Sequence, residues 1–369
     1  MAITIKDVAK KAGVGVGTAS RVLNNKPLVS ERTRQRVLEA AQELNFFPDA
    51  SAKRLKSGRT QVIALVVEEQ LPEQIVANVF LSELLRGFHK AARAHNYHVL
   101  FEPFFPDDNT NNRHLRLVQE NHVDGMVISG PRFDNKQLLE LVQQGGPVVL
   151  HGRLPGSDVP FVDVDNREGA RMATRHLLSL GHRQIGLITN APLDYTAAMD
   201  RRAGYQEALL EFGLELDEAL IQIGSFSAQS GYRAMQTLLA LSPPPTAVFA
   251  ASDDVAIGAM RAARDAGLQI PKSLAIVGFD DIPSAIHLHP RLTTVKVPAF
   301  ELGRQAGILL IKFIEGEKMS NTQVLLNTEL VIRDSCGAQS NLPDETGRTV
   351  SDAGLKKLSK PFVAGEERR

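Results

Sequence analysis

From residue 61 onward the chain alternates short apolar, β-branched runs with amphipathic helical segments, a pattern that few architectures satisfy. QVIALVV at 61 to 67 precedes LSELLRGFHKAARAHN; YHVLFEPF and VDGMVISG continue the alternation, and NKQLLELVQQGG leads to PVVLHG. A second series follows: QIGLITN, DRRAGYQEALLEFG, LIQIG, TAVFAAS, DDVAIGAMRAARDAG and LAIVGFDD. Alternation of this length predicts parallel sheets of the doubly wound kind. The series echo one another, since LLRGFHKAA and RRAGYQEAL each place a basic residue, a glycine and an aromatic near a helix start. Two similar α/β halves leave a cleft at the carboxyl ends of their strands, where ligands usually bind.

The first 60 residues read differently, as short helices. Thr4 and Asp7 form a capping-box-like start, Ile5, Val8, Ala9 and Ala12 follow at helical spacing, and Gly13 stops the helix. A second helix runs from about Val16 to Leu23. Ser30 starts a third, with Val37, Ala41 and Leu44 on one face and Pro48 as its end. Two helices joined by a tight glycine-containing turn and braced by a third make a helix-turn-helix. Charge agrees: this segment carries a net +7, while the whole chain is neutral, so the remainder sums to −7. A basic module on a mildly acidic body fits a polyanion-binding head, with an ordinary solvated surface as the plain alternative.

A recognition helix presents its first residues, and those one turn on, to base edges in the major groove. Here these are Val16, Gly17 and Arg21. Arg21 could hold a guanine through two hydrogen bonds, or else a phosphate or a neighbouring carboxylate, and Val16 could touch a thymine methyl. Thr18, Ser20 and Asn24 suit phosphate contacts, which position the head without specifying sequence.

With these residues in view, TIKDVAKKAGVGVGTASRVLNNKPLVSERTRQRVLEAAQELNFFPDASAKRL resembles the DNA-binding head and hinge of the lactose-repressor (LacI/GalR) family of bacterial transcriptional regulators. The likeness continues through HGRLPGSDVPFVDVDNREGARMATRHLLSLGHRQIGLI, DRRAGYQEAL, TAVFAASDDVAIGAMRAARDAGLQIP and AIVGFDDIPSA, and covers roughly residues 3 to 335. The chain departs from the pattern at Gly15, where serine is common, and at Gly17, where a hydrogen-bonding residue is frequent. Gly17 has no side chain with which to read a base. For residues 49 to 60 the resemblance implies a hinge helix, paired across a dimer, that pushes Leu55, flanked by Lys53, Arg54 and Lys56, into the minor groove. The plain alternative is a basic linker with a buried leucine.

For the body the resemblance implies a periplasmic-binding-protein-like fold of two subdomains, with effector contacts at Phe80, His151, Arg201, Ser252 and Asp280. Arg201 offers a fork of donors and Asp280 accepts, a pairing suited to adjacent hydroxyls of a sugar or related polar metabolite. Phe80 supplies an apolar wall, and with no tryptophan in the chain any stacking platform is Phe or Tyr. His151 stands where some members have an acidic residue; it either donates to a ligand or is a satisfied core histidine. Asp254 and Asp281 are expected to cap helices.

The boundaries expected are a helix-turn-helix domain at 1 to 48, the hinge at 49 to 60, an effector-binding body at 61 to 335 and a disordered tail at 336 to 369. Within the body, 61 to 162 with 292 to 322 should form one subdomain, and 163 to 291 with 323 to 335 the other. The single cysteine, Cys336, excludes an internal disulfide and a multi-cysteine metal site, and should pack as a small apolar residue. No run approaches the roughly 20 apolar residues of a membrane helix, and no signal peptide precedes the head, so the expected compartment is the cytoplasm. Gly13-Val14-Gly15-Val16-Gly17 lacks the preceding strand of a dinucleotide loop, and no phosphate-binding loop, HExxH or nucleophile elbow is present. The expectation is therefore a non-enzymatic, homodimeric, allosteric repressor that binds operator DNA and a small effector, with no cofactor or metal. A solute-binding protein is the alternative, opposed by the basic head.

Overall fold

The computed structural model describes residues 3–24, 27–46, 58–68, 78–104, 113–132, 136–143, 146–318 and 321–338. The hinge residues Lys53, Arg54 and Leu55, and the tail from 339 on, lie outside them.

The head contains α1 (Ile5–Ala12), α2 (Val16–Leu23) and α3 (Glu31–Glu43). At the start of α1 the amide and hydroxyl of Thr4 both donate to the Asp7 carboxylate, at 2.8 and 2.7 Å, which holds Asp7 below the usual carboxylate range. Gly13 closes α1 at φ 62°, and the Arg36 guanidinium of α3 donates to the carbonyls of Ala12 and Gly13 at this turn. Val8, Ala9, Ala12, Ala19, Val22, Val37, Ala40 and Ala41 make one small core. Helix α3 begins at Ser30, which accepts from the Thr33 amide. It ends before Pro48, because Asn45 takes a left-handed φ of 48°.

The body is two six-stranded sheets. The first has the order β11-β5-β4-β3-β1-β2, built from β1 (Val62–Glu68), β2 (His98–Phe104), β3 (Gly125–Ser129), β4 (Val148–His151), β5 (Phe161–Val164) and β11 (Gln323–Leu326), all parallel. The second, β12-β10-β9-β8-β6-β7, uses β6 (Ile185–Ile188), β7 (Ile221–Gln222), β8 (Ala247–Ala250), β9 (Ala275–Asp280), β10 (Thr293–Lys296) and β12 (Glu329–Val331), with only β12 antiparallel. Helices α4 (Val79–Ala94) and α11 (Ala299–Glu315) pack together on one face of the first sheet; α5 (Arg113–Gln119) and α6 (Lys136–Gln143) cover the other. In the second subdomain α7 (Asn166–Ser179) pairs with α8 (Thr196–Glu211), and α9 (Ala228–Leu239) with α10 (Asp253–Asp265). Because helices lie on both faces, Ile63 and Leu65 enter one core while Ala64 and Val66 enter another, which is why this strand is apolar throughout.

The chain passes between subdomains three times, and the expected division is corrected at each crossing. Asp163 and Val164 remain in β5 of the first sheet; β10 pairs with β9 of the second, so residues 292 to 296 belong there; and β11 joins β5 of the first. Apolar periodicity marks a strand but not which of two similar sheets it joins, so short crossing strands are the segments it misassigns. The folded body also extends past 335, since Cys336 is buried against Thr293 and the described backbone reaches Ala338.

The echoed motifs lie in mid-helix rather than at helix starts. Their glycines let helices touch: a Cβ on Gly87 would overlap the carbonyl oxygen of Phe300, and one on Gly204 that of Arg167. The following aromatics, Phe88 and Tyr205, are completely buried, and the Tyr205 hydroxyl donates to the Ile185 carbonyl at 2.7 Å. Gly204→Ala should therefore force α7 and α8 apart and destabilise the body by about 1–3 kcal/mol, the usual range for overpacking. Urea unfolding checks this; an unchanged midpoint would show that the helices separate freely.

Candidate functional site

Between the sheets, at the carboxyl ends of their strands, lies a cavity of about 140 Å³. Phe80, His151, Arg201, Ser252 and Asp280 all line it. Phe80 comes from the first turn of α4, whose start is capped by Asn78 accepting from the Leu81 amide at 2.8 Å. His151 ends β4, shares a 2.8 Å hydrogen bond with Ser129 through Nδ1, and stands 5.8 Å from the Phe80 ring. These side chains form the first subdomain's wall.

The opposite wall is organised by Arg201 on α8, which is only 7% exposed. Its Nε donates to Asn166 Oδ1 at 2.9 Å, Nη1 donates to the Ala251 carbonyl and lies 3.8 Å from Asp280 Oδ1, and the guanidinium sits 3.8 Å over the Phe279 ring. Asp280 occupies a φ of 120° and Asp281 one of 58°, two consecutive left-handed residues that are strained for a side chain bearing a Cβ. Their neighbours hold them there. Asp253 is fully buried, accepts from the Ile282 amide at 2.9 Å and from the Thr294 hydroxyl at 2.6 Å, and so ties α10 to the segment after Asp280.

Two expected roles change. Ser252, not Asp254, caps α10 by accepting from the Val255 amide at 3.3 Å, leaving Asp254 to line the cavity. Asp281 caps no helix; it pairs with Arg333 at 2.6 Å. Both carboxylates sit near where a cap would, but the strained turn at 280 and 281 redirects one, and a serine two positions earlier displaces the other.

The cavity's electrostatics are lopsided. Burial pushes the carboxyls of Asp280 and Asp163 up to about 7 and that of Asp254 up to about 6; Arg201 opposes the rise at Asp280 and Asp163. Burial and the Arg201 charge push His151 down to about 4, so its imidazole is neutral at physiological pH. Asp163 is the residue the sequence reading passes over. It lies in β5, and its signal was a carboxylate inside the apolar stretch Phe161–Val164, where an ionisable group is expensive to bury. Asn166, Asn190, Tyr195 and Phe226 also line the cavity; the two aromatic rings meet edge-on at 5.2 Å. At its margin Arg132 pairs with Asp194 at 2.5 Å and Arg153 with Asp200 at 2.6 Å, one bridge after β3 and one after β4 to the loop and helix of the other subdomain.

In the head, α2 leaves Val16, Gly17 and Arg21 exposed on its outer face, with Thr18 and Ser20 half-buried. Among the described residues no carboxylate pairs with Arg21, so one alternative for that side chain is absent here. Asn24 caps the end of α2, donating to the Ser20 carbonyl at 2.8 Å, and Gly15 stands at the start with extended backbone.

Comparison with known proteins gives the same two parts. Residues 4–49 match the bacterial regulatory proteins of the lacI family, and residues 174–336 a periplasmic binding protein-like domain. The chain is 37% identical over 338 residues to the HTH-type transcriptional regulator CelR of Thermobifida fusca, covering 90% of this chain and 98% of that protein. It belongs to the lacI family. The HTH-type transcriptional repressor CytR of Escherichia coli is 35% identical over 91% of this chain and 97% of its own length. Among solved structures, a CelR–cellobiose complex superposes with a TM-score of 0.71 at 35% identity, covering 90% of this chain and 100% of the other. The lac repressor dimer bound to operator and an anti-inducer superposes at 0.80 with 26% identity, covering 91% and 99%. This lacI-family chain is thus a DNA-binding transcription regulator, of a kind with relatives that are regulators and not enzymes. Among the described residues no helix is long and apolar enough to cross a membrane.

The raised carboxyls have a stability consequence. An unfolded Asp titrates near 4, so between about pH 4 and 7 the folded body binds more protons than the unfolded chain. The associated stability is fully present below pH 4 and is lost as pH rises through 7. Asp163→Asn removes one such group. Relative to wild type, its ligand-free melting temperature should be similar near pH 5 and higher at pH 8, read by calorimetry at both; a difference that does not grow with pH would place Asp163 in a solvated setting.

Proposed function

We propose that this lacI-family regulator is a cytoplasmic, homodimeric repressor whose operator affinity is set by a sugar or similar polyol held in the cavity between the subdomains. The observation that supports this best is the convergence on one cavity of an apolar ring, Phe80, from one subdomain and a donor–acceptor pair, Arg201 and Asp280, from the other. An arginine fork beside a carboxylate matches two adjacent hydroxyls, one accepting and one donating. The named neighbours agree in kind, one being a cellobiose complex and another a dimer on its operator. A solute-binding protein has no use for the helix-turn-helix head.

In this reading the exposed face of α2 enters the major groove, Arg21 reads a base, Val16 meets a methyl group, and Thr18, Ser20 and Asn24 hold phosphates. Leu55, flanked by Lys53, Arg54 and Lys56, wedges the minor groove. The ligand is an inducer: by bridging both walls it favours one closure angle and weakens the paired heads' grip on a pseudo-palindromic site. A coupling of about 1–3 kcal/mol changes operator affinity roughly 5- to 150-fold, and operator must change ligand affinity by the same factor.

Two outcomes check these roles. Arg21→Ala should relax preference at one base pair per half-site, at a cost of about 1–3 kcal/mol, measured by binding to a set of singly substituted operators; uniform weakening across the set would make Arg21 a phosphate contact. Asp280→Ala should leave ligand-free operator affinity near wild type and abolish the ligand response in a titration with and without cellobiose and related sugars. A full response in that variant would remove Asp280 from the site.

A further inference from the structure

The unpaired polar atoms of the cavity point to the chemistry its occupant must supply. Asp163 is 4% exposed, and its Oδ1 accepts from the Val164 amide at 2.8 Å and from Asn166 Nδ2 at 3.0 Å. Its Oδ2 is buried and has no hydrogen-bond partner in the chain, and the same holds for Oδ1 of Asn190, which is 6% exposed. Both residues line the cavity, Asp163 from the end of β5 in the first subdomain and Asn190 from the segment after β6 in the second. Asn190 Oδ1 is an acceptor, and so is Asp163 Oδ2 once the carboxyl is ionised. A buried acceptor left unmatched is costly, more so on a group able to carry charge, and a ligand that supplies the donor recovers that cost on binding.

The other polar groups lean the same way. Asp254 and Asp280 add acceptor oxygens to the lining, whereas the guanidinium of Arg201, the cavity's cation, is already engaged by Asn166, the Ala251 carbonyl and Asp280. His151 is neutral and shares its Nδ1 with Ser129. An anionic ligand would find carboxylates on both walls and one cation whose charge Asp280 already balances, although Nη hydrogens remain for neutral hydroxyls.

We propose that Asp163, with Asn190 across the cleft, is a specificity-determining residue that accepts hydrogen bonds from hydroxyls of an uncharged polyol and excludes acidic sugars. This rests on the polyol reading of the cavity and deepens it. The two acceptors come from different subdomains, so a ligand donating to both is held best when the walls are close. That gives the ligand a preference for one closure angle, which coupling to the operator requires.

Asp163→Asn is the informative change. It keeps Oδ1 for the Val164 amide and Asn166, and replaces only the unpaired oxygen with an amide nitrogen of similar size. The test is a thermal-shift and calorimetric comparison of the full chain, wild type and Asp163→Asn, against cellobiose, maltose, glucose and ribose, with cellobionate and glucose 6-phosphate as acidic probes. Wild type should be stabilised by at least one neutral sugar and by neither acid. At pH 8, where Asp163 is ionised, the variant should bind that sugar about 10- to 100-fold more weakly, as expected for loss of a hydrogen bond to a charged group, while melting higher than wild type at the same pH without ligand. Opposite signs for binding and stability separate a ligand contact from a merely structural residue, which would lower both. A variant that binds the neutral sugar as tightly as wild type, or an acidic probe that binds wild type, overturns the assignment to Asp163. If no neutral sugar shifts wild type, the polyol reading itself fails and this inference goes with it.

Discussion

The body is arranged around a guanidinium that has nowhere to go. Arg201 is almost fully buried between the carboxyl ends of the second sheet's strands, and a cation so placed must be matched by fixed acceptors or the subdomain would not close over it. The matches come from segments far apart in sequence: Asn166 at the first crossing between subdomains, the Ala251 carbonyl after β8, and Asp280 at the end of β9, with the Phe279 ring beneath. Each acceptor has its own support. Asp280 needs a left-handed backbone, which the buried Asp253 stabilises by fixing the residues just beyond it. The strain at 280 and 281 is therefore local, and the cost is offset by a network that also sets the cleft's shape.

The same network explains why the site lies between subdomains rather than within one. Asn166 opens α7 immediately after the chain leaves β5, so the residue that orients Arg201 is two positions from a strand of the opposite sheet. The segments 296 to 299 and 326 to 329 make the other two crossings. Three short connections join the two sheets, and Arg132–Asp194 and Arg153–Asp200 bridge their margins. Partly exposed pairs of this sort are worth little individually, which would suit the closure proposed for ligand binding.

Much of this architecture is legible in the residues. Two runs of alternating strands and helices, the capping of α1 by Thr4 and Asp7 and its stop at Gly13 follow from local chemistry and survive in three dimensions. What is not legible is long-range. Nothing in Thr293–Lys296 says that it pairs with β9 and not with a strand of the first sheet, and the boundary placed at 292 reflects that. Asp163 escapes for a related reason: its apolar neighbours in Phe161–Val164 hint at burial, but in sequence it is one carboxylate near Asp165 and Glu168, and its unpaired oxygen in the cavity is visible only in three dimensions. Asp254 and Asp281 both suit capping by sequence, but Ser252 takes the cap of α10 and Arg333 pairs with Asp281.

A regulator that works as proposed needs a ligand site that is incomplete without closure, and the acceptors and donors of this cavity do come from both subdomains. Ligand contacts confined to Arg201, Asp280 and Asn190 would bind equally well at any angle between the subdomains and could shift no equilibrium. Contacts on the first subdomain's wall are what create a differential affinity. Phe80 contributes area without direction, and His151 is occupied by Ser129 on one nitrogen, so neither fixes an angle as sharply as a short hydrogen bond. A carboxylate oxygen on β5 does, because its position follows the sheet and its pairing with a hydroxyl is lost within about an ångström of separation. In the proposed reading, the directional contact on that wall is thus the step that turns binding into a change of shape.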